Sequence, residues 1–146
     1  MIRWAVPQDL QAAIKVMQAA KTGCGWYRYG TMDGAALLDI DDETGALRGY
    51  IRFHLGRPET HVRQLVVAPE HQGDGLVAKG LFAKLIQLAE GHGSQGLEGF
   101  MLEGDTGLID QAERAGAQLD RGVRVRWPLG EAASERAQKL REALRA

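Results

Sequence analysis

Residues 65–82, LVVAPEHQGDGLVAKGLF, leave the chain few choices. The apolar run Leu65–Val67 has strand character and ends before Pro69, which cannot donate to a sheet ladder. Gln72, Gly73, Asp74 and Gly75 then turn the chain, and from Leu76 apolar residues recur at helical spacing. Val77, Leu81, Leu85 and Leu88 mark one face, which Phe82, Ile86 and Ala89 widen, so this helix should be packed rather than solvated. A strand that bends straight into a packed helix belongs to a layered arrangement of sheet and helices. It also leaves first-turn N–H groups without intrahelical partners at the positive end of the helix dipole. Phosphate is held well there if small residues let the backbone come close. The two glycines allow that, and they equally allow a plain strand-to-helix bend. Neither the phosphate loop ending in Gly-Lys-Ser/Thr nor the full Rossmann glycine triplet is present.

The flanking segments fill in the layers. Ile2–Val6 reads as a short strand closed by Pro7, with Asp9 favouring the positive end of the helix that follows. Leu10, Ala13, Ile14, Met17 and Ala20 recur at helical spacing. AALLDI is a strand, DDETG is turn chemistry, and residues 46–55 alternate imperfectly as a strand that GRPET returns into a hairpin with His61–Val67. After the opening helix, GHGSQG supplies glycine where a left-handed C-terminal residue is wanted. Leu97–Leu102 is a strand weakened by Gly99. Leu108, Ala112 and Ala115 suggest a short helix ended by Gly116, and VRVRW alternates like a half-buried strand. From Glu131 the tail places Ala133, Ala137, Leu140 and Leu144 on one face, a packing surface for the domain itself or for a second copy in a homodimer. The order β-α-β-β-β-α-β-α-β-α predicts a mixed α/β (α+β) fold, with helices on both sheet faces, in a single domain over residues 1–146.

With 18 basic and 19 acidic residues the net charge is −1, which argues against a grip on nucleic acid or an anionic membrane. The run RGVRVRW is more simply an alternating strand with a wet face. The single cysteine, Cys24, rules out an internal disulfide framework and suits a reducing, cytoplasmic setting. No apolar run approaches the roughly 20 residues that span a bilayer, and MIRWAVPQDL has no secretory pattern. The four histidines and one cysteine show no metal-ligand spacing.

A hairpin followed by QLVVAPEHQGDGLVAKGLFAKL resembles the acyl-CoA site of the GNAT superfamily of N-acetyltransferases. There a strand ending Leu-x-Val-x-Pro leads into Gln/Arg-x-x-Gly-x-Gly/Ala. Leu65, Val67 and Pro69 match the strand, and Gln72 and Gly75 match the loop. IRWAVPQDLQAAI looks like the family's first strand and helix, and GDTGLIDQAERAGA is similar to its late segment, with Gly116 in register. The resemblance implies a GNAT-like, mostly antiparallel sheet and acetyl-CoA as co-substrate. Gln72, Gly73, Asp74, Gly75, Leu76 and Val77 would hold the pyrophosphate, Leu65, Val66 and Val67 the acyl arm, and Asp105 would take the place of a late Asn. It implies a primary-amine acceptor, on a small molecule or a protein, while the charge balance argues for no nucleic acid and no membrane partner.

Four positions depart from the pattern. Val77 stands where Gly or Ala is usual, Asp74 where Lys or Arg is common, Asp105 for Asn, and Ala112 where many members carry a Tyr that protonates the leaving thiolate. Lys79, one turn on, offsets the Asp74 charge. These departures leave open a GNAT-like protein that works through a partner instead of by catalysis. An attacking amine must lose a proton near neutral pH, a task suited to histidine. His61 lies four residues before Leu65, on the same strand face. It resembles a position where some members place a base, and it also reads as a strand-edge histidine beside a turn. Arg63 sits where others have Glu and would orient an acidic acceptor. His54 and Glu70 are further candidates, while His71 and His92 read as solvated. In CGWYRYG, where the family's acceptor loop lies, Trp26, Tyr27 and Tyr29 either wall a pocket or pack the loop, and Tyr27 or Tyr29 would replace the missing acid. Cys24 has no Cys-His-Asn spacing to make it a nucleophile.

Overall fold

The computed structural model describes residues 1–20, 35–73, 75–100, 118–120, 124–128 and 142. The chain divides into two compact units, Met1–Phe53 with Gln64–Lys84, and His54–Arg63 with Leu85–Ala146.

In the first unit β1 (Ile2–Trp4), β2 (Ala35–Ile40) and β3 (Leu47–His54) form an antiparallel meander. The turn between β2 and β3 is set by Asp41, whose carboxylate accepts the N–H groups of Glu43 and Thr44, and by Gly45 at φ +72°. The register shifts between Asp39 and Ile40, so that Asp39 pairs with Gly49 and Ile40 with Leu47. Arg48 is thereby the extra residue of a bulge. Its guanidinium reaches the buried Asp39 carboxylate at 2.6 and 2.9 Å. The last residues of β4 (Glu59–Val67) continue this sheet beside β3: Tyr50 Oη donates to Gln64 Oε1, and the N–H of Ala68 donates to Arg48 O.

Pro7 opens a tight turn over Pro7–Asp9 that leads into α1 (Leu10–Ala20). Asp9 holds that entrance, accepting the N–H of Val6 and a two-pronged bond from Arg3. Ala13 of α1 joins Leu38, Tyr50 and Val66 in a buried cluster, with Val16, Met17 and Ala20 packed on it. The opposite face carries Ile2, Asp39 and Gly49 in register. The first turns of α2 (Leu76–His92) cover it, with Ile2 against Gly80 and Val77 against Gly49. Helices thus lie on both faces of this sheet.

In the second unit the early part of β4 pairs in parallel with β5 (Gly96–Phe100), from Glu59 opposite Gly96 to Val62 opposite Gly99. β7 (Arg124–Pro128) runs antiparallel to β5, and β6 (Gln118–Asp120) antiparallel to β7. Leu85, Ile86, Ala89 and Leu97 are buried here. Gly93, at φ +89°, ends α2 as its position predicts. Thr60 and Ser94 share a buried hydroxyl contact of 2.7 Å, and Ser94 donates onward to Gly56 O.

Element types follow the sequence reading, with boundaries shifted by one or two residues. The strand Gln118–Asp120 has no counterpart in it, since three residues show no period. The short helix over 108–115 and the tail helix from residue 131 lie outside the described residues.

Candidate functional site

β4 runs to Val67, but its pairing with β5 covers only Glu59–Val62. Beyond Val62 its last residues have β3 as their described strand neighbour. Val66 is buried toward Tyr50, while Leu65 and Val67 are half-buried.

The chain then makes a tight turn over Pro69–His71. The N–H of Gln72 donates to Pro69 O at 3.4 Å, and its side-chain Nε2 donates to Val67 O at 2.9 Å. The side-chain bond braces the loop against the strand end, and the main-chain bond closes the turn, so the Gln72 N–H is engaged within the protein. Gly75 has φ +70°, a conformation costing an L side chain about 1 kcal/mol or more. Its carbonyl accepts the N–H of Lys79 at 3.0 Å, which makes Gly75 the residue that opens α2. A Cβ built on Gly73 or Gly75 meets nothing within 4 Å. Glycine at 75 is therefore favoured by the backbone, and no described residue beyond the chain neighbours stands where a side chain at 73 or 75 would begin. The N–H groups of Val77 and Ala78, in the first helical turn, have no intrahelical acceptor.

Val77 is the departure that the structure explains. It is 6% exposed, and its Cγ1 lies 2.9 Å from where a Cβ on Gly49 would be. The branched side chain is buried against β3, outside the open space beyond Gly73 and Gly75. A larger residue at the helix start is matched by the absence of a side chain in the sheet beneath it.

His61 is 49% exposed. Along β4 exposure alternates, with His61 and Arg63 exposed and Thr60, Gln64 and Val66 buried. Directly across from His61 on β5 stands Glu98, which is buried, with its Oε1 3.9 Å from His61 Nδ1. That is beyond a hydrogen bond and within reach of an ion pair once the ring is protonated. Glu98 is absent from the sequence candidates because only the parallel register of β4 and β5 brings it to His61. Glu70 is exposed in the turn after β4, His71 half-buried beside it, and His54 and His92 exposed at element ends. Cys24, Trp26, Tyr27, Tyr29, Asp74, Asp105 and Ala112 lie outside the described residues. Among the described residues no group of three or more His, Cys, Asp or Glu is gathered to hold a metal ion. No described helix is long and apolar enough to cross a membrane.

The model of the acetyltransferase (GNAT) family matches residues 4–125. A search of curated proteins found no significant match. Among solved structures, the chain is similar to a GNAT superfamily phosphinothricin acetyltransferase from Sinorhizobium meliloti in complex with AcCoA, at 17% identity and TM-score 0.68, covering 90% of this chain and 89% of that one. It is similar to a ribosomal-protein-alanine N-acetyltransferase from Brucella melitensis, at 18% identity and TM-score 0.66, covering 88% and 99%. PaiA N-acetyltransferase from Thermoplasma acidophilum in complex with coenzyme A is similar at 13% identity and TM-score 0.68, covering 86% and 97%. At these identities the likeness speaks for the fold.

Proposed function

The chain belongs to the acetyltransferase (GNAT) family, and from that premise we propose that it moves an acetyl group from acetyl-CoA to a primary amine by direct attack. The observation that carries the reading is the loop after β4. There a left-handed Gly75 opens α2, a Cβ at Gly73 or Gly75 meets no described residue beyond its chain neighbours within 4 Å, and Val77 is packed inward. Such a helix start suits a pyrophosphate, and the similar structures from Sinorhizobium meliloti and Thermoplasma acidophilum hold AcCoA and coenzyme A. In this reading the loop from Gln72 to Val77 holds the phosphates, with Gln72 as its brace. The main chain of Leu65–Val67, with no described pairing to β5, holds the acyl arm. Asp105, which stands in place of the family's Asn, is a further cofactor-binding residue in this reading. Bound acetyl-CoA supplies an activated thioester carbonyl.

His61 takes the proton from the attacking nitrogen as the C–N bond forms and the C–S bond breaks, and Tyr27 or Tyr29 gives a proton to the departing thiolate. Holding both reactants in place and polarising the carbonyl with main-chain donors supply most of the acceleration. Arg63, exposed two residues beyond His61, suits an acceptor with an acidic group. The setting is the cytoplasm.

Calorimetry with acetyl-CoA, followed by thiol release across a panel of amines, tests the proposal. Gly75→Asp abolishes binding, because it puts a strained, negatively charged side chain where the phosphates sit. His61→Ala lowers turnover and leaves binding intact. Absence of both heat and thermal shift at millimolar acetyl-CoA refutes the enzyme reading.

A further inference from the structure

We propose that Glu98 is a positioning residue for His61, fixing which ring nitrogen carries the hydrogen so that Nε2 is left to accept a proton. The proposal rests on the reading of His61 as the base.

Three observations on the second unit lead to it. Glu98 is a buried carboxylate directly opposite His61 in the parallel register of β4 and β5. Its Oε1 is 3.9 Å from Nδ1, which makes Nδ1 the nitrogen facing the carboxylate. His61 itself is half exposed, so the rest of the ring is open to an incoming amine.

The chemistry follows from the charge. A neutral imidazole has one N–H, and its place is set by what the two nitrogens face. A free histidine ring in water favours hydrogen on Nε2, which leaves nothing there to accept a proton. A carboxylate beside Nδ1 draws the hydrogen to the near nitrogen and frees the Nε2 lone pair. When Nε2 takes the amine proton the ring becomes a cation, and the same carboxylate offsets its charge without taking a proton. A buried carboxylate does this better than an exposed one, because water screens it less.

Other charges on that side do not supply the same bias. On β4 the charged neighbours of His61 on its own face are Glu59 and Arg63, two residues away on either side. Glu59 is opposite Gly96 on β5, and Arg63 is a cation. On β7, Arg126 holds the register position across from Glu98.

The experiment is nitrogen NMR of the imidazole rings in the whole chain, above the ordinary histidine titration range, with His61→Ala to assign the signal. It is paired with steady-state kinetics on the best amine. In the unaltered protein the His61 hydrogen resides on Nδ1. Glu98→Leu moves it to Nε2 and lowers kcat on the order of tenfold or more, with the KM for acetyl-CoA changed by less than about twofold. Glu98→Gln, the substitution least disturbing to the fold, shifts the signals part of the way, and Glu98→Asp restores most of kcat. His61 signals that are the same in Glu98→Leu and Glu98→Gln as in the unaltered protein overturn the proposal whatever the turnover. A changed tautomer with unchanged kcat overturns it too. Failure of the acetyltransfer reading shows differently, as no turnover of any amine by the unaltered protein, and the NMR arm still decides whether Glu98 governs the ring.

Discussion

Gly49→Ala tests the packing that seats the start of α2. A methyl at Gly49 would lie 2.8 Å from Val66 O, 2.9 Å from Val77 Cγ1 and 3.3 Å from Val67 Cα. Two of these atoms belong to the main chain of β4, next to the bond from Ala68 N–H to Arg48 O, and cannot rotate away. Overpacking of this kind costs about 1–3 kcal/mol, and a fixed carbonyl under 3 Å puts the expectation at about 2–3 kcal/mol. For a chain of this size that is a fall in Tm of about 5–10 °C. Val77→Ala on its own removes two buried methyl groups and costs about 2 kcal/mol, from lost burial and the space left behind.

The two changes should not add. With Ala at 77 the side-chain clash is gone while the carbonyl clash stays, so the double variant loses about 3 kcal/mol instead of the 4–5 expected of independent sites. Urea unfolding of the four proteins gives the coupling directly, about 1 kcal/mol or more in favour of the pair. If Gly49→Ala lies within about 0.5 kcal/mol of the parent, or the two losses simply add, then Val77 is not held by Gly49. The account of how a branched residue is accommodated at the helix start then fails with it.

Asp9 accepts two bonds from Arg3 and one from the Val6 N–H, and the Arg3 guanidinium holds its carboxyl below the usual range. A lowered folded-state pKa stabilises above the unfolded value near 3.9 and is lost as pH falls through the folded one. Asp9→Asn should therefore cost on the order of 1 kcal/mol at neutral pH and flatten the acid limb of a stability-against-pH curve. Ser94→Ala leaves Gly56 O and the Thr60 hydroxyl short of a buried partner, and urea unfolding should show a loss of about 1–3 kcal/mol. Gln72→Ala cuts the tie from the loop to Val67 O; calorimetry should show acetyl-CoA bound several-fold more weakly while Tm moves little.

What the sequence makes legible is whatever depends on neighbours in the chain. Pro69, the glycines at 73 and 75 and the stripe from Val77 to Ala89 place the strand, turn and helix. The left-handed Gly75 and Gly93 sit where local rules ask for them. Asp41 followed by Gly45 sets the turn before β3 in the same local way. Illegible was anything fixed by register. The bulge at Arg48 arises because one residue too many lies between the pairs Asp39–Gly49 and Ile40–Leu47, and no periodicity in residues 46–55 announces it. The partner of His61 could not be read either, since a parallel neighbour is set by the crossover and not by any spacing along the chain.

The departures from the family pattern weigh differently in the fold than along the sequence. Seen along the sequence, Val77 is a bulky residue in a loop that prefers small ones, and it counts against cofactor binding. In the fold its side chain is on the sheet side, and the residue that must be small is Gly49, which lies 28 positions earlier on a different strand. The close approach demanded of the helix start is met by a pair of residues whose sizes are exchanged, while the main-chain amides on the outer side are untouched. A motif position can thus depart from its family's habit without altering the surface that a ligand meets, provided the change is absorbed on the inner side. The reverse case is a side-chain change at Gly73 or Gly75, where the outer side is open and nothing in the core would resist it. Such a change would leave the packing intact and fill the space outside the turn. Gly73→Asp, which adds a charge without a left-handed residue to strain, should accordingly melt within about 2 °C of the parent and still lose acetyl-CoA binding. Tight binding by that variant would mean that the pyrophosphate does not sit at the start of α2.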